Sequence, residues 1–420
     1  MKTNAVRLYG KCDLRLETFE LPEIKEDEIL AKVVCDSICM STYKAAMQGA
    51  DHKRVPDDVA ENPTIMGHEF CGVIEQVGAK WADQFKPGQR FAIQPNINYK
   101  GQPWSPGYSF KTIGGNATYI VIPGIFMECG CLLPYDGEGF FGGSLSEPLS
   151  CVAGTFKAMY HTTPGVYEHK MGIVKNGKMA LLASVGPMGL AAIDYIMHTD
   201  LRPSLLVVTD IDQARLDRAE SIFTKEEAAR MGIELHYVNT GKVENPIETL
   251  MAITGGTGYD DVVAFAPVPA VIEQADAILG NDGCLNFFAG PSKKDFSAKF
   301  NFYNVHYNYT HIVGTSGGNT DDMREALTMM SEGKLNPAIL VTHIGGMDAA
   351  KETTLNLPSI PGGKKLIYTH ISMPLVAIAD FAKLGETDPK FAKLAEITER
   401  HNGLWSYEAE EYLLANTASI

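Results

Sequence analysis

A cysteine, a histidine and a glutamate in the first part of the chain are side chains that bind zinc in catalytic sites. Cys39 lies in the segment Ser37–Ser41, and His68 and Glu69 follow in the run Gly67–Gly72. Catalytic zinc is held by three protein ligands of this kind, which leaves a coordination position open for water or substrate. Without further context, Cys39 is more often a small buried core residue. Only the folded chain can bring these side chains together.

A second group of residues has the pattern of a dinucleotide-binding turn. It follows the predicted strand Met179–Ala183 and opens a predicted helix, so its backbone N–H groups can face a pyrophosphate. Ser184 stands where the usual pattern has its first glycine. Gly186 would allow the cofactor to approach the backbone, and Gly189 would allow the helix to pack closely on the strand. The predicted cofactor-binding residues of this turn are Ser184, Gly186, Pro187, Met188 and Gly189.

Asp210 ends the next predicted strand, about 20 residues after the turn, where a carboxylate can accept hydrogen bonds from the ribose hydroxyls. Its negative charge, with Asp212 close by, would repel a 2′-phosphate and favours NAD(H). Arg215 lies near enough in the sequence to keep NADP(H) as an alternative. Asp210 could instead cap the helix that is predicted to begin near Gln213.

Length and composition indicate a globular protein of two domains. The chain has 420 residues, of which 45% are hydrophobic and 21% charged. Its net charge of −15 argues against nucleic acid and anionic membranes as partners but allows a small anionic substrate. No apolar run is long enough to span a membrane, and the N-terminus lacks the features of a signal peptide. The eight scattered cysteines favour reduced thiols, so the expected location is cytoplasmic.

The pattern of predicted elements changes near Gly154. Before it, short strands separated by turns indicate a β barrel or sandwich, interrupted by a long irregular stretch from Gln94 to Gly115. After it, strands alternate with helices, which predicts an α/β domain with a doubly wound parallel sheet. The stretch Pro374–Ala415 predicts two amphipathic helices. The predicted divisions are residues 1–153, 154–300 and 301–420.

The order of the motifs resembles that of the zinc-dependent medium-chain dehydrogenases of the polyol type. The matching segments are Cys39-x-Ser41, Gly67-His68-Glu69-x-x-Gly72, Glu147-Pro148-Leu149-Ser150 and the glycine turn. The resemblance implies a GroES-like barrel as catalytic domain and a Rossmann-type nucleotide domain. It also implies that Cys39, His68 and Glu69 bind the metal, with Glu147 as a fourth ligand or as the group that holds the metal-bound water. The alternative for Glu147 is a carboxylate at a helix N-terminus ahead of Pro148.

The same resemblance assigns further roles and reveals two departures. Ser41 would pass the substrate's proton toward solvent, but Lys44 stands where relatives often have a histidine, and a lysine is a poor relay near neutral pH. Lys44 could instead bind an anionic group or be an ordinary solvated charge. Only Cys129 and Cys131 lie where many relatives have four zinc-binding cysteines, so we expect one catalytic zinc and no structural zinc. Ala266 and Gly290 follow strands that line the nicotinamide pocket in relatives.

Three stretches are similar to family members that reduce a ketohexose phosphate to a hexitol phosphate. They are Ser37–Lys44, Val207–Asp212 and Asn301–Tyr307. The implied reaction is the reduction of L-sorbose 1-phosphate to D-glucitol 6-phosphate with zinc and NAD(H), by an expected homodimer or homotetramer. A dehydrogenase of unphosphorylated polyols or secondary alcohols and a non-catalytic nucleotide-binding protein are the alternatives. The candidate cations for a phosphate group are Lys44, Lys53, Arg54 and Lys364.

Overall fold

The computed structural model describes residues 1–420 and separates into two compact units. The first unit comprises Met1–Glu147, Asn319–Gly333 and Pro337–Ile420. The second comprises Pro148–Gly318 and Lys334–Asn336. The chain therefore builds most of the first unit, crosses to the second, and returns to complete the first.

Strands and helices alternate in the second unit, whereas the first unit is built mainly from strands. The strands are β1 Lys2–Gly10, β2 Asp13–Glu20, β3 Ile29–Ile38, β4 Thr64–Ile65, β5 Phe70–Val77, β6 Arg90–Ile93, β7 Tyr119–Ile122, β8 Leu132–Pro134, β9 Tyr160–Thr163, β10 Val166–Met171, β11 Lys178–Leu182, β12 Leu205–Asp210, β13 Glu234–Asn239, β14 Tyr259–Ala264, β15 Leu279–Phe287, β16 His311–Gly314, β17 Val341–Gly346, β18 Lys364–Tyr368 and β19 Val376–Ala377. The helices are α1 Met40–Gln48, α2 Gly124–Glu128, α3 Phe140–Ala158, α4 Pro187–His198, α5 Gln213–Ile222, α6 Lys225–Arg230, α7 Pro246–Ile253, α8 Pro269–Ala277, α9 Phe302–Tyr307, α10 Thr320–Ser331, α11 Ala350–Asn356, α12 Phe381–Leu384, α13 Pro389–Arg400 and α14 Tyr407–Ala415. None of them combines the length and the apolar character that a membrane crossing requires.

Strand β3 is the centre of the first unit. It is rich in Ile and Val, is almost wholly buried, and pairs antiparallel with β5, β7 and β18. The sheet has the order β19-β17-β18-β3-β5-β6-β8, and a smaller sheet has the order β2-β1-β4. Apolar side chains from β3, β5, β6 and β7 form a shared core that includes Ile29, Ala31 and Val33 of β3, while Ile38 at the end of β3 belongs to a second core. The predicted β-rich first domain is confirmed.

The second unit contains the predicted parallel sheet, which has six strands in the order β13-β12-β11-β14-β15-β16. The predicted boundary at residue 300 differs from the structure, because β16 still pairs with β15 and the unit continues to Gly318. A four-residue strand whose side chains are only half-buried has too little hydrophobic pattern to be recognised from sequence.

The C-terminal helices α13 and α14 pack on the first unit, and a buried glutamate on α14 makes the central contact. The carboxylate of Glu410 accepts hydrogen bonds from the backbone N–H groups of Phe140 and Phe141 at 2.6 and 2.9 Å. It also accepts one from the hydroxyl of Tyr368 at 2.7 Å, and Trp405 Nε1 donates to that hydroxyl at 2.8 Å. The C-terminal segment thus ties the start of α3 to the end of β18.

The ionisation of Glu410 predicts a pH dependence of stability. Burial raises the pKa of Glu410 to about 7, above its ordinary value of 4.5. Because the folded chain retains this proton longer than the unfolded chain, Glu410's contribution to stability is full below pH 4.5 and declines as the pH rises to 7. The expected decline is on the order of 3 kcal/mol.

Urea denaturation of the full chain at pH 5 and pH 7.5 measures this effect. The difference in the free energy of unfolding between the two pH values should be smaller in Glu410→Gln than in the wild type. An identical pH dependence in both proteins would contradict a raised pKa at Glu410.

Candidate metal centre and dinucleotide edge

Cys39 stands at the junction between β3 and α1. It is the N-cap residue of α1 and has an extended backbone, with φ −111° and ψ 150°. The partial positive charge of a helix N-terminus favours a thiolate over a thiol. Ser41 and Thr42 lie in the first turn of the same helix. The end of a buried strand therefore holds the sulfur in a fixed position.

His68 and Glu69 lie in the short connection between β4 and β5. The preceding Gly67 has a φ of +89°, a conformation that favours glycine. A Cβ atom on Gly67 would also lie 2.7 Å from the backbone nitrogen of Asn116. Glycine at this position lets the chain turn sharply, so that both following side chains are buried.

The structure brings the three predicted ligands together. The Cys39 sulfur, a His68 nitrogen and a Glu69 oxygen all lie within 4.8 Å of one another. Zinc bonds to these atoms are about 2.0–2.3 Å long, so small side-chain movements would let one ion contact all three. The hydroxyl of Ser41 lies beside them, 3.0 Å from the Cys39 sulfur and 3.3 Å from His68 Nε2.

The electrostatics of these residues fit a bound cation. Burial lowers the pKa of His68 to about 4, which keeps the imidazole neutral, as a zinc ligand must be. Burial and the negative charge of Glu69 raise the pKa of Cys39 to about 12, so without a cation its thiol stays protonated. A divalent ion would supply the positive charge that stabilises the thiolate. The donor set therefore fits zinc.

Two polar side chains that sequence analysis missed hold the other side of the imidazole. Thr42 Oγ1 lies 3.1 Å and the Tyr108 hydroxyl 3.0 Å from His68 Nδ1. With Nδ1 engaged, Nε2 is the nitrogen available to a metal. Tyr108 is buried and comes from the irregular stretch between Gln94 and Gly115. The unusual length of that stretch was the one sequence signal for such a role.

Lys364 is not available to bind a substrate phosphate, in contrast to the prediction. Its ammonium lies 2.6 and 2.5 Å from the two carboxylate oxygens of Glu69, and both side chains are buried. Burial opposes the charge on both groups. Lys364 nevertheless holds the pKa of Glu69 below its usual range, and Glu69 raises the pKa of Lys364. As a metal ligand, Glu69 would have to use a lone pair that Lys364 leaves free.

Glu147 lies inside α3 rather than at its N-terminus, so the alternative role as an N-terminal helix carboxylate is wrong. The helix starts at Phe140 and continues through Pro148. The negative charge of Glu147 adds to the effects of burial and Glu69 that raise the pKa of Cys39. Glu147 thus lies near the metal group, although its carboxylate is not among the three atoms within 4.8 Å of one another.

The remaining first-unit candidates lie outside this group. Lys44 is on α1, and its charge acts on His52. Cys131 is buried, with its sulfur 3.7 Å from the Thr320 hydroxyl, and Cys129 is half-exposed. The absence of a structural zinc stays a prediction.

In the second unit, the glycine turn connects β11 to α4. A Cβ atom on Gly189 would lie 1.9 Å from the backbone oxygen of Ser184, so the helix can approach the turn this closely only with glycine. A Cβ atom on Gly186 would meet no protein atom within 4 Å. Pro187 is at the first position of α4, followed by Met188. Gly186 therefore faces space that a cofactor could fill.

Asp210 ends β12, and it does not cap the following helix. Asp212 is the N-cap residue of α5 and accepts a hydrogen bond from the backbone N–H of Arg215 at 3.2 Å. Asp210 Oδ1 accepts hydrogen bonds from the backbone N–H groups of Ile211 and Asp212, at 2.8 and 3.0 Å. Its second oxygen, Oδ2, remains open to a ligand.

Ala266 and Gly290 follow β14 and β15, two neighbouring strands of the parallel sheet. Because parallel strands end at the same edge, these residues, Asp210 and the glycine turn share the carboxyl edge of the sheet. Ligands of open α/β sheets bind at that edge.

Comparison with known proteins shows the family of this chain. Residues 25–128 match the alcohol dehydrogenase GroES-like domain, and residues 187–332 match the zinc-binding dehydrogenase domain. The chain is 53% identical over 415 residues to mannitol-1-phosphate 5-dehydrogenase of Aliivibrio fischeri, covering 98% of this chain and 97% of that one. It is 52% identical over 418 residues to L-sorbose 1-phosphate reductase of Klebsiella pneumoniae, covering 100% and 98%.

A solved structure shows the same fold at lower identity. The crystal structure of 2R,3R-butanediol dehydrogenase from Bacillus subtilis superposes with a TM-score of 0.71 and 20% identity, covering 87% of this chain and 99% of that one. With its two matching domains and its full-length relatives, this chain belongs to the zinc-binding dehydrogenases of the alcohol and polyol dehydrogenase family.

Proposed function

We propose that this protein interconverts a ketohexose phosphate and a hexitol phosphate, using zinc and a nicotinamide cofactor. The observation that carries the proposal is the buried group of Cys39, His68 and Glu69, in a chain that aligns over nearly its whole length with two enzymes named for sugar phosphates. The reaction we favour is the reduction of L-sorbose 1-phosphate to D-glucitol 6-phosphate. Mannitol 1-phosphate is the competing substrate of the same class, since its dehydrogenase is equally similar.

The roles proposed for the metal-site residues follow from their donors. Cys39 and His68 hold the zinc ion, Glu69 is the third donor, and Glu147 is a fourth donor or orients a water molecule. A bound zinc ion would supply a Lewis acid that polarises the carbonyl or hydroxyl oxygen of the substrate. The Ser41 hydroxyl, which lies 3.0 Å from the Cys39 sulfur, would pass the substrate's proton onward.

The nucleotide edge favours NAD(H). The open Oδ2 of Asp210 can accept hydrogen bonds from the ribose hydroxyls, and its charge disfavours a 2′-phosphate. The side chain of Arg215 lies 3.5 Å from the carboxylate of Asp212, which reduces its availability for such a phosphate. Ser184, Gly186, Pro187, Met188 and Gly189 would hold the pyrophosphate, and Ala266 and Gly290 would line the nicotinamide.

Oxidation of NADH by the zinc-loaded protein, with a panel of ketoses and their phosphates, tests the proposal. We expect kcat/KM for L-sorbose 1-phosphate to exceed that for L-sorbose by about 10- to 100-fold, because a phosphate adds hydrogen bonds between charged groups. NADPH should be a poorer donor than NADH. Equal rates with L-sorbose and its 1-phosphate would instead favour a dehydrogenase of unphosphorylated polyols.

A further inference from the structure

Basic side chains cluster next to the candidate metal centre. Lys44 is on α1, and His52, Lys53 and Arg54 are in the loop that follows; we call these four residues the basic cluster. Burial and the positive charges of Arg54, Lys53 and Lys44 lower the pKa of His52 to about 4. Every charge that contributes to this shift is positive. The cluster thus forms a local cationic region in a chain whose net charge is −15.

The aromatic ring of Tyr108 joins the basic cluster to the metal ligands. The ring of His52 stacks on it with centroids 5.4 Å apart and an angle of 10° between the planes. The guanidinium carbon of Arg54 lies 5.5 Å from the centroid of the same ring. The Tyr108 hydroxyl is 3.0 Å from His68 Nδ1, and the centroid of the His68 ring is 5.0 Å from that of the Tyr108 ring. The cluster and the metal ligands are therefore separated by about one aromatic side chain.

Hydrogen bonds of its backbone hold the loop that contains His52 and Arg54, and they leave the His52 Nε2 and the Arg54 guanidinium able to donate to a ligand. The Arg54 N–H donates to His52 Nδ1 at 3.3 Å, and the Arg54 carbonyl accepts from Ser109 Oγ at 2.7 Å. Because Nδ1 of His52 accepts a hydrogen bond, the neutral ring carries its proton on Nε2, which is then a donor. The guanidinium of Arg54 has no acidic partner. The nearby carboxylate of Asp51 pairs with Lys11 rather than with Arg54.

We propose that the basic cluster binds the phosphate group of the substrate, with Arg54 as the main anchor, while the carbon chain of the substrate extends from there to the metal centre. This inference rests on the proposed function, since it presupposes a phosphorylated substrate. The guanidinium fork matches two phosphate oxygens, the lysines add charge, and His52 Nε2 adds a neutral donor.

The test compares selectivity rather than activity alone. In Arg54→Met, the ratio of kcat/KM for L-sorbose 1-phosphate to kcat/KM for L-sorbose should fall by about 10- to 100-fold, mostly through KM. Arg54→Lys should recover part of the ratio because it keeps the charge. The matched control is Arg324→Met, which removes an arginine that pairs with Asp321 on α10. This control should keep the wild-type ratio.

A second readout needs no turnover. Calorimetric titration of the zinc-loaded full chain with inorganic phosphate should detect binding to the wild type and to Arg324→Met, and at least tenfold weaker binding to Arg54→Met. If Arg54→Met keeps the wild-type preference for the phosphorylated substrate, the basic cluster does not bind the phosphate, and only this proposal is rejected. Equal use of both substrates by the wild type would reject the phosphorylated substrate, and with it this proposal and the proposed function.

Discussion

Cys39→Ser is expected to lower turnover with NADH by about a thousandfold or more while NADH still binds. A Lewis acid contributes several kcal/mol to such a reaction, and each 1.4 kcal/mol or so of barrier is about a factor of ten in rate. Serine does not replace the thiolate, because its hydroxyl remains protonated and is a poor zinc ligand. The proposed nucleotide residues follow strands of the parallel sheet, so their hydrogen bonds do not depend on this sulfur.

Steady-state kinetics measure the turnover, fluorescence titration measures NADH binding, and metal analysis measures the zinc content of each variant. Cys129→Ser is the control, because it removes a half-exposed thiol outside the metal group. We expect one zinc per chain in the wild type and the control, and a large loss of zinc from Cys39→Ser. Turnover within tenfold of the wild type in Cys39→Ser would remove the metal from the mechanism, and a second zinc per chain would reveal a structural site.

Lys364→Met should destabilise the metal-free protein by about 3–5 kcal/mol, the usual cost of removing one member of a buried ion pair. Both oxygens of Glu69 contact the Lys364 ammonium, so the substitution leaves a buried carboxylate without a counter-ion. The double variant Glu69→Gln/Lys364→Met removes the stranded charge and should recover most of the lost stability. Urea denaturation in the presence of a chelator gives the free energies of unfolding.

The next residue provides the matched control. Lys365 is also buried, but its ammonium donates to the carbonyl oxygens of Ile360, Pro361 and Gly363 at 3.1, 3.0 and 2.7 Å. Lys365→Met removes these hydrogen bonds to uncharged carbonyl oxygens and should cost less than Lys364→Met. Equal losses in both single variants, with no recovery in the double variant, would mean that the ion pair does not account for the effect.

Local patterns in the sequence determined much of the fold. The parallel sheet follows from apolar runs such as Leu205–Thr209 alternating with helical segments, because strand and helix periodicity are properties of neighbouring residues. The turn from Ser184 to Gly189 was recognisable for the same reason, since its glycines serve a strand and a helix adjacent in sequence. The predicted stretch Pro374–Ala415 contains the helices α13 and α14, but the strand β19 and the short helix α12 in the same stretch were not predicted, nor was the attachment through Glu410.

Only the tertiary structure decided which side chains share the metal centre. Cys39 and His68 come from separate elements, and Tyr108 arrives from an irregular loop without periodicity. Lys364 was predicted as a candidate cation for the substrate phosphate, yet it is the buried partner of Glu69, 295 residues away along the chain. A buried charge requires a nearby opposite charge, but neither the partner nor its distance along the chain is encoded in local pattern. The residue types, together with the resemblance of the motifs to a known family, therefore predicted the chemistry, while the pairing of strands from both ends of the chain determined which residues surround the metal centre.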